Sequence, residues 1–188
     1  MLETLLQLDS ALSLLINHFH SSVLDAIMIT ISGRLTWVPL YAVILWLLHK
    51  QFGWKTTGFF LVFIVLNLVL SDQISVFMKN YFLRLRPCHT EGLIKSLHLA
   101  DGCGGQFGFV SSHAANTMGL AVLCSMLLHQ NWIKVVLFVF AFLNSYSRVY
   151  LGKHFIGDVV GGMLLGALIG WLIFKIATLV LSKTNLAK

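Results

Sequence analysis

A twelve-residue stretch, Ser147-Arg148-Val-Tyr-Leu-Gly-Lys153-His154-Phe-Ile-Gly157-Asp158, sets an arginine, a histidine and an aspartate between two long apolar runs. Ionisable groups are costly in or beside a membrane segment, so a polar island this dense marks a functional site. His154 and Asp158 are four residues apart. If Gly157 and Asp158 open the last helix, His154 sits on the preceding turn and the carboxylate can reach its imidazole. A carboxylate so placed holds a nucleophilic or basic histidine in one tautomer and orientation. Arg148 adds a permanent cation whose planar fork of donors suits phosphate or carboxylate. Taken alone, the island also fits a plain ion pair at a helix end.

Two further islands share its chemistry. Lys79 and Arg86 are seven residues apart, about two helical turns, and Pro87 follows to stop the helix. The second is Phe109-Val110-Ser111-Ser112-His113-Ala-Ala-Asn116, just ahead of an apolar run. Small hydroxyl residues at a helix start offer side-chain donors and free backbone N–H groups to an anion, and His113 can give or take a proton. Singly, each has a plainer reading: headgroup-flanking cations, and a serine cap with an interfacial histidine. Together the three islands supply several cations, a helix N-terminus and two histidines, a set suited to a phosphate group on a lipid. Asp158 is the only acid in the three islands. The electrostatic clamp is therefore expected to consist of side-chain cations, with no metal and no cofactor.

The elements that must position these residues are membrane helices. The 188-residue chain is 57% hydrophobic and 11% charged, with a mean hydropathy of +0.84, far from the balance of a soluble domain. Its length suits one domain over residues 1–188. The net charge of +6 flanks apolar runs or falls in the islands, which argues against nucleic acid as a partner. The expected fold is all-α: a compact bundle of five, or six, transmembrane helices behind an N-terminal amphipathic helix. Residues 1–32 read as an interfacial segment, because Leu5, Leu8, Leu12, Leu15 and Phe19 lie opposite Glu3, Gln7, Ser10 and Asn17. Val23–Ile31 is a short second apolar run.

The spans read as Leu35–Leu48, Thr57–Met78, His113–Leu128, Ile133–Asn144 and Ile156–Leu181. The first is too short for a perpendicular crossing, so its helix is expected to begin before Gly33 or to cross a thinned bilayer. Lys50 and Lys55 flank a turn, and Asp72 inside the second span reads as a structural hydrogen-bonding group. Gly162, Gly166 and Gly170 recur at four-residue spacing, a face that admits a close neighbour. Lys50, Lys55, Lys134, Lys183 and Lys188 fall on one side, which the positive-inside rule makes cytoplasmic. All three islands then face outward. Trp37, Trp54 and Trp132 sit near span ends as interfacial anchors do. Cys88 and Cys103 share the long polar loop, where free thiols are the favoured reading and a disulfide the alternative.

In order and spacing, the three islands resemble the signature of the type-2 phosphatidic acid phosphatase superfamily, KxxxxxxRP, PSGH and SRxxxxxHxxxD. The first is matched by Lys79 to Arg86-Pro87 and the third by Ser147-Arg148 to His154 and Asp158. The middle one reads Val110-Ser111-Ser112-His113, without the proline and with serine for glycine. The resemblance covers residues 79–158. It implies a helical membrane bundle and a lipid phosphatase with His154 as nucleophile. Asp158 would then orient His154, and His113 would serve as acid and then base. The phosphoryl oxygens would lie on Lys79, Arg86, Ser111, Arg148 and the Ser112 amide. It also implies a bacterial inner membrane with the site facing outward, and a phosphorylated lipid as partner. Undecaprenyl diphosphate is the favoured substrate, ahead of phosphatidylglycerol phosphate, phosphatidic acid and the phosphates of lipid A. A lipid-binding transporter would need the cations but not the two histidines, and haloperoxidase-like relatives are soluble. Arg84 and Lys153 read either as contacts to a second phosphate or headgroup, or as solvated. His18, His20, His49, His89, His98 and His129 read as solvated.

Overall fold

A computed structural model describes residues 2–184, so Lys188, one of the lysines expected on the cytoplasmic side, lies outside the described residues. The elements are α1 (Leu2–His18), α2 (Ser22–Ser32), α3 (Val38–Phe82), α4 (Ser112–Leu127), α5 (Asn131–Tyr150) and α6 (Ile156–Ser182), joined by turns and one long loop. Among the described residues no β-strand forms, only an isolated bridge between Leu85 and Phe107.

The 45 residues of α3 would extend about 68 Å at 1.5 Å each, over twice the hydrocarbon thickness of a bilayer. The helix is broken at Gly53, with φ 73° and ψ 171°, a backbone conformation that only glycine adopts cheaply. Segments 38–52 and 54–82 thereby form two arms, and the Phe52 and Phe60 rings meet across the bend at 5.0 Å. The turn expected between Lys50 and Lys55 thus lies at Gly53. The first arm does not begin before Gly33. Gly33 ends α2 in an extended conformation, a 3-10 turn over Leu35–Trp37 follows, and α3 starts at Val38. The Trp37 indole and Thr36 hydroxyl donate to the Ile31 and Thr30 carbonyls and hold this break shut.

Among the described residues, three helices are long and apolar enough to cross a membrane: Leu35–Phe82, Asn131–Tyr150 and Ile156–Ser182. The pair α1–α2, bent by 115°, makes a fourth if taken as one broken span. The five runs read in the sequence therefore fall on four helices, two of them on α3. With 16 residues, α4 is about 24 Å long, and Leu120, Leu123 and Cys124 bury it in the bundle. Its closest neighbour is α6. A Cβ at Gly162 or Gly170 would lie 2.5 Å from the carbonyl oxygen of Ser111 or Gly119, and one at Gly166 would overlap that of Ala115. The two backbones touch because these positions carry no side chain. Val62, Val65, Leu164 and Leu168 are exposed on the outside of the bundle, as lipid-facing residues are.

The amphipathic pattern of α1 is used inside out. Leu5, Leu8, Leu12 and Leu15 are exposed, while Ser13 and Asn17 are buried against the bundle. Asn17 donates to the His98 and Tyr150 carbonyls and accepts from the His98 N–H. The polar edge therefore binds protein.

Cys88 and Cys103 are disulfide-bonded, with Cα atoms 5.9 Å apart, so the free-thiol reading is corrected. The loop doubles back on itself at the Leu85–Phe107 bridge, which brings the two thiols together at its base. Loss of the bridge in Cys88→Ala/Cys103→Ala is expected to cost about 3 kcal/mol and to lower the midpoint of thermal unfolding by roughly 6–12 °C. An unchanged midpoint would contradict a stabilising bridge.

Candidate active site

Four helix ends converge at one end of the bundle: the end of α3, the start of α4, the end of α5 and the start of α6. At the end of α3, Leu83 takes a left-handed conformation (φ 50°) and its N–H closes on the Lys79 carbonyl at 3.0 Å. The Lys79 ammonium donates to the Ser112 hydroxyl at 2.6 Å, and Ser112 Oγ lies 2.5 Å from Ser75 Oγ. The serine that replaces the motif glycine thus anchors the lysine through its side chain.

Arg86 leaves the helix in extended backbone and is gripped by the long loop. Its Nε donates to the Phe107 carbonyl at 3.1 Å, and Nη1 reaches the carbonyls of Lys153 at 3.4 Å and Cys103 at 3.5 Å. The disulfide fixes the loop end that supplies one of these acceptors. Burial lowers the Arg86 pKa and Asp158 opposes that shift, and the guanidinium stays cationic at neutral pH.

Arg148 closes α5. Its Nη1 donates to the Ser32 hydroxyl of α2, its buried Nε has no hydrogen-bond partner among the described residues, and its carbonyl accepts from the N–H groups of Lys153 and His154. Lys153 is ion-paired with Asp101. Gly152, at φ 66°, makes the sharp return that brings His154 back under Arg148.

His154 is 2% exposed. Its Nδ1 lies 3.4 Å from Asp158 Oδ2, which leaves Nε2 on the far side of the ring from that carboxylate. Asp158 sits in the first turn of α6, where Oδ2 also accepts from the Phe155 N–H at 3.1 Å. Burial, then the Arg86, Arg148 and Lys79 cations, hold the His154 imidazole well below its ordinary pKa of 6.5, with the Gly108 backbone opposing. The ring is therefore neutral at neutral pH. Below pH 6.5 the unfolded chain takes up a proton there that the native protein excludes, so stability falls with acidification. Between about pH 7.5 and pH 5.5, His154→Gln is expected to lose less thermal stability than the wild type, by up to about 1.4 kcal/mol per pH unit below that pKa. Equal losses would contradict the lowered pKa.

Lys79, Arg86, Ser112, His113, Arg148 and His154 line one cavity of about 660 Å³. Ser111 and Asp158 do not line it. Ser111 precedes α4, fully buried; its N–H donates to the Asp158 carbonyl at 2.9 Å, and its hydroxyl has no partner among the described residues. The cavity continues past the cations to Arg34, Asp72, Gln73, Asn116 and Asn144, with Trp37 and Tyr41 in its wall.

Sequence reasoning missed Asp9, Ser13, Ser32 and Ser75, and gave Arg84 no definite role. Arg84 pairs with Asp9 at 2.6 Å and Asp158 at 2.8 Å. The one sequence signal for Asp9 is its place on the polar edge of α1, in register with Ser13.

The chain is 41% identical over 180 residues to a lipid A 4'-phosphatase of Bacteroides thetaiotaomicron, covering 94% of this chain and 80% of that protein. It is 30% identical to an undecaprenyl-diphosphatase of Bacillus subtilis, over 85% of this chain and 78% of the relative. The crystal structure of a transmembrane PAP2-type phosphatidylglycerolphosphate phosphatase from Bacillus subtilis superposes with a TM-score of 0.74 at 21% identity, covering 94% of this chain and 88% of that one; this likeness bears on the fold. The profile of the PAP2 superfamily matches residues 59–180, the span that holds all three islands, and the chain belongs to that superfamily of membrane lipid phosphatases.

Proposed function

We propose that the protein hydrolyses a phosphate ester of a membrane lipid through a phosphohistidine on His154. The observation that carries this reading is the shared cavity: His154 faces it with Asp158 behind Nδ1, and three cations and His113 line the same space. Nε2 of His154 attacks phosphorus and the bond to the lipid oxygen breaks. Protonated His113 gives that oxygen its proton. Neutral His113 then takes a proton from water, the water oxygen bonds to phosphorus, the P–N bond breaks and inorganic phosphate leaves. Lys79, Arg86 and Arg148 neutralise the oxygens in both steps, so no divalent ion is required. Ser111 and the Ser112 amide keep a supporting role, Ser111 by fixing the start of α4.

The substrate we favour is a phosphomonoester on a lipid-linked sugar of the lipid A type. Beyond the cations the cavity carries Gln73, Asn116 and Asn144 beside Trp37 and Tyr41, groups that a sugar can use and a bare prenyl chain cannot, together with apolar Leu68, Val69 and Phe140 for an acyl chain. The 41% identical relative is a lipid A 4'-phosphatase. Undecaprenyl diphosphate is the second reading, favoured by the 30% identical relative. The site is proposed to open to the outer side of a bacterial inner membrane, because Lys50, Lys55, Lys134 and Lys183 flank the opposite ends of the helices.

The test is phosphate release by the purified protein in EDTA from lipid A, undecaprenyl diphosphate, phosphatidylglycerol phosphate and phosphatidic acid. Fastest release from lipid A supports the first reading, and fastest release from undecaprenyl diphosphate the second. No release from any lipid, or release only with added metal, would overturn the mechanism.

A further inference from the structure

Three parts of the chain that are remote in sequence meet behind Asp158. Arg84 lies between two carboxylates, with Nη2 2.6 Å from Asp9 Oδ2 and Nη1 2.8 Å from Asp158 Oδ1. Its guanidinium rests 4.6 Å from the centre of the Phe155 ring. Asp9 Oδ1 accepts from the Gly157 N–H at 2.9 Å, and Ser13 Oγ accepts from the Ile156 N–H at 3.0 Å. Helix α1 thus supplies acceptors for the first free N–H groups of α6, which would otherwise lack intrahelical partners. Glycine at position 157 leaves room for this approach: a Cβ there would lie 2.7 Å from Asp9 Oδ2 and 3.2 Å from Arg84 Nη1, and these side chains would have to shift.

The side chains of Arg84, Asp9 and Asp158 are only 22%, 14% and 0% exposed, so their charges act on one another with little screening. Two carboxylates share one guanidinium, which leaves a net negative charge beside His154. Without the Asp9 charge, Arg84 would belong to Asp158 alone and the pair would be neutral toward the imidazole. That ring becomes cationic when it carries phosphorus, and a net-negative neighbour favours it at that moment.

We propose that Asp9 is a positioning residue of the phosphatase: through Arg84 it fixes the Asp158 carboxylate and preserves its charge toward His154. This rests on the reading of His154 as nucleophile. Lys79, Arg86 and Arg148 have their hydrogen-bond partners elsewhere, so the Asp9 effect falls on turnover and not on phosphate binding.

Asp9→Asn removes the charge together with the acceptor that faces Arg84, while the amide oxygen can still accept from Gly157. Ser13→Ala removes the neighbouring cap from the same helix end without touching Arg84. With dioctanoyl phosphatidic acid as probe, Asp9→Asn is expected to lower kcat by about tenfold or more and leave KM within about twofold. Ser13→Ala is expected to lower the melting temperature and keep kcat within about twofold. An unchanged kcat in Asp9→Asn, or equal losses in both variants, would overturn the proposal as a structural effect only. The second measurement needs no turnover: a melting-temperature cycle of Asp9→Asn, Asp158→Asn and the double variant. The shifts are expected to depart from additivity by about 2 °C or more, and additive shifts would sink the linkage. If wild type and His154→Ala both release no phosphate, the proposed function fails, and the cycle alone decides the Asp9–Arg84–Asp158 linkage.

Discussion

His154→Ala is expected to lower phosphate release by at least about a thousandfold while leaving the protein folded. Removing a nucleophile removes the covalent route, and the cations and His113 that remain provide only residual catalysis. The ring is buried, so its loss leaves a small cavity, but the fold should survive because the turn does not depend on it. Its Nδ1 has no close hydrogen bond, and the turn is held by the backbone N–H of residue 154 donating to the Arg148 carbonyl at 3.2 Å. Alanine retains that bond. Substrate affinity should change little, since Lys79, Arg86 and Arg148 stay in place. Turnover within tenfold of wild type in a correctly folded His154→Ala would remove His154 from the chemistry.

His113→Gln should produce a different defect. General acid–base groups contribute about a hundredfold to ten-thousandfold, and His113 is assigned both proton transfers. An alkoxide leaving group needs its proton in the first step, so with a lipid substrate the variant should be slow throughout. An aryl phosphate needs much less help to leave, so His154 can still be phosphorylated. Water attack then lacks its base and the phosphoenzyme should accumulate. A burst of aryl alcohol release followed by a slow steady state is the expected trace. Equal loss with lipid and aryl substrates and no burst would place the acid–base function elsewhere.

The readable part of this protein follows from two short-range physical signals. Hydropathy located the arms of α3, then α4, α5 and α6, because a bilayer demands long apolar runs. The glycine spacing in α6 announced a close helix neighbour without naming it, and the backbone approach at Gly162, Gly166 and Gly170 makes that neighbour α4. The His154–Asp158 juxtaposition was legible because four residues across a helix start impose it. What stayed hidden depends on the meeting of remote segments. Arg84 finds Asp9 and Asp158 across 75 and 74 positions, and no local pattern encodes such a pair. The polar edge of α1 looked like a face for water because amphipathicity does not tell which side meets protein. The disulfide needed the return of the loop at Leu85 and Phe107, which spacing alone does not give. The break at Gly33 carries a polar signal in Ser32 and Arg34, but the shortness of the Leu35–Leu48 run favoured a helix that began earlier.

The central claim is that phosphorus is carried on His154, and the direct measurement is rapid-quench trapping with a substrate labelled on its phosphate. The account predicts a label on the protein that is stable in base and lost in acid, that maps to the peptide holding His154, and that forms and decays fast enough to account for turnover. Turnover at the normal rate with no labelled protein at any time, or with label on another residue, would contradict it.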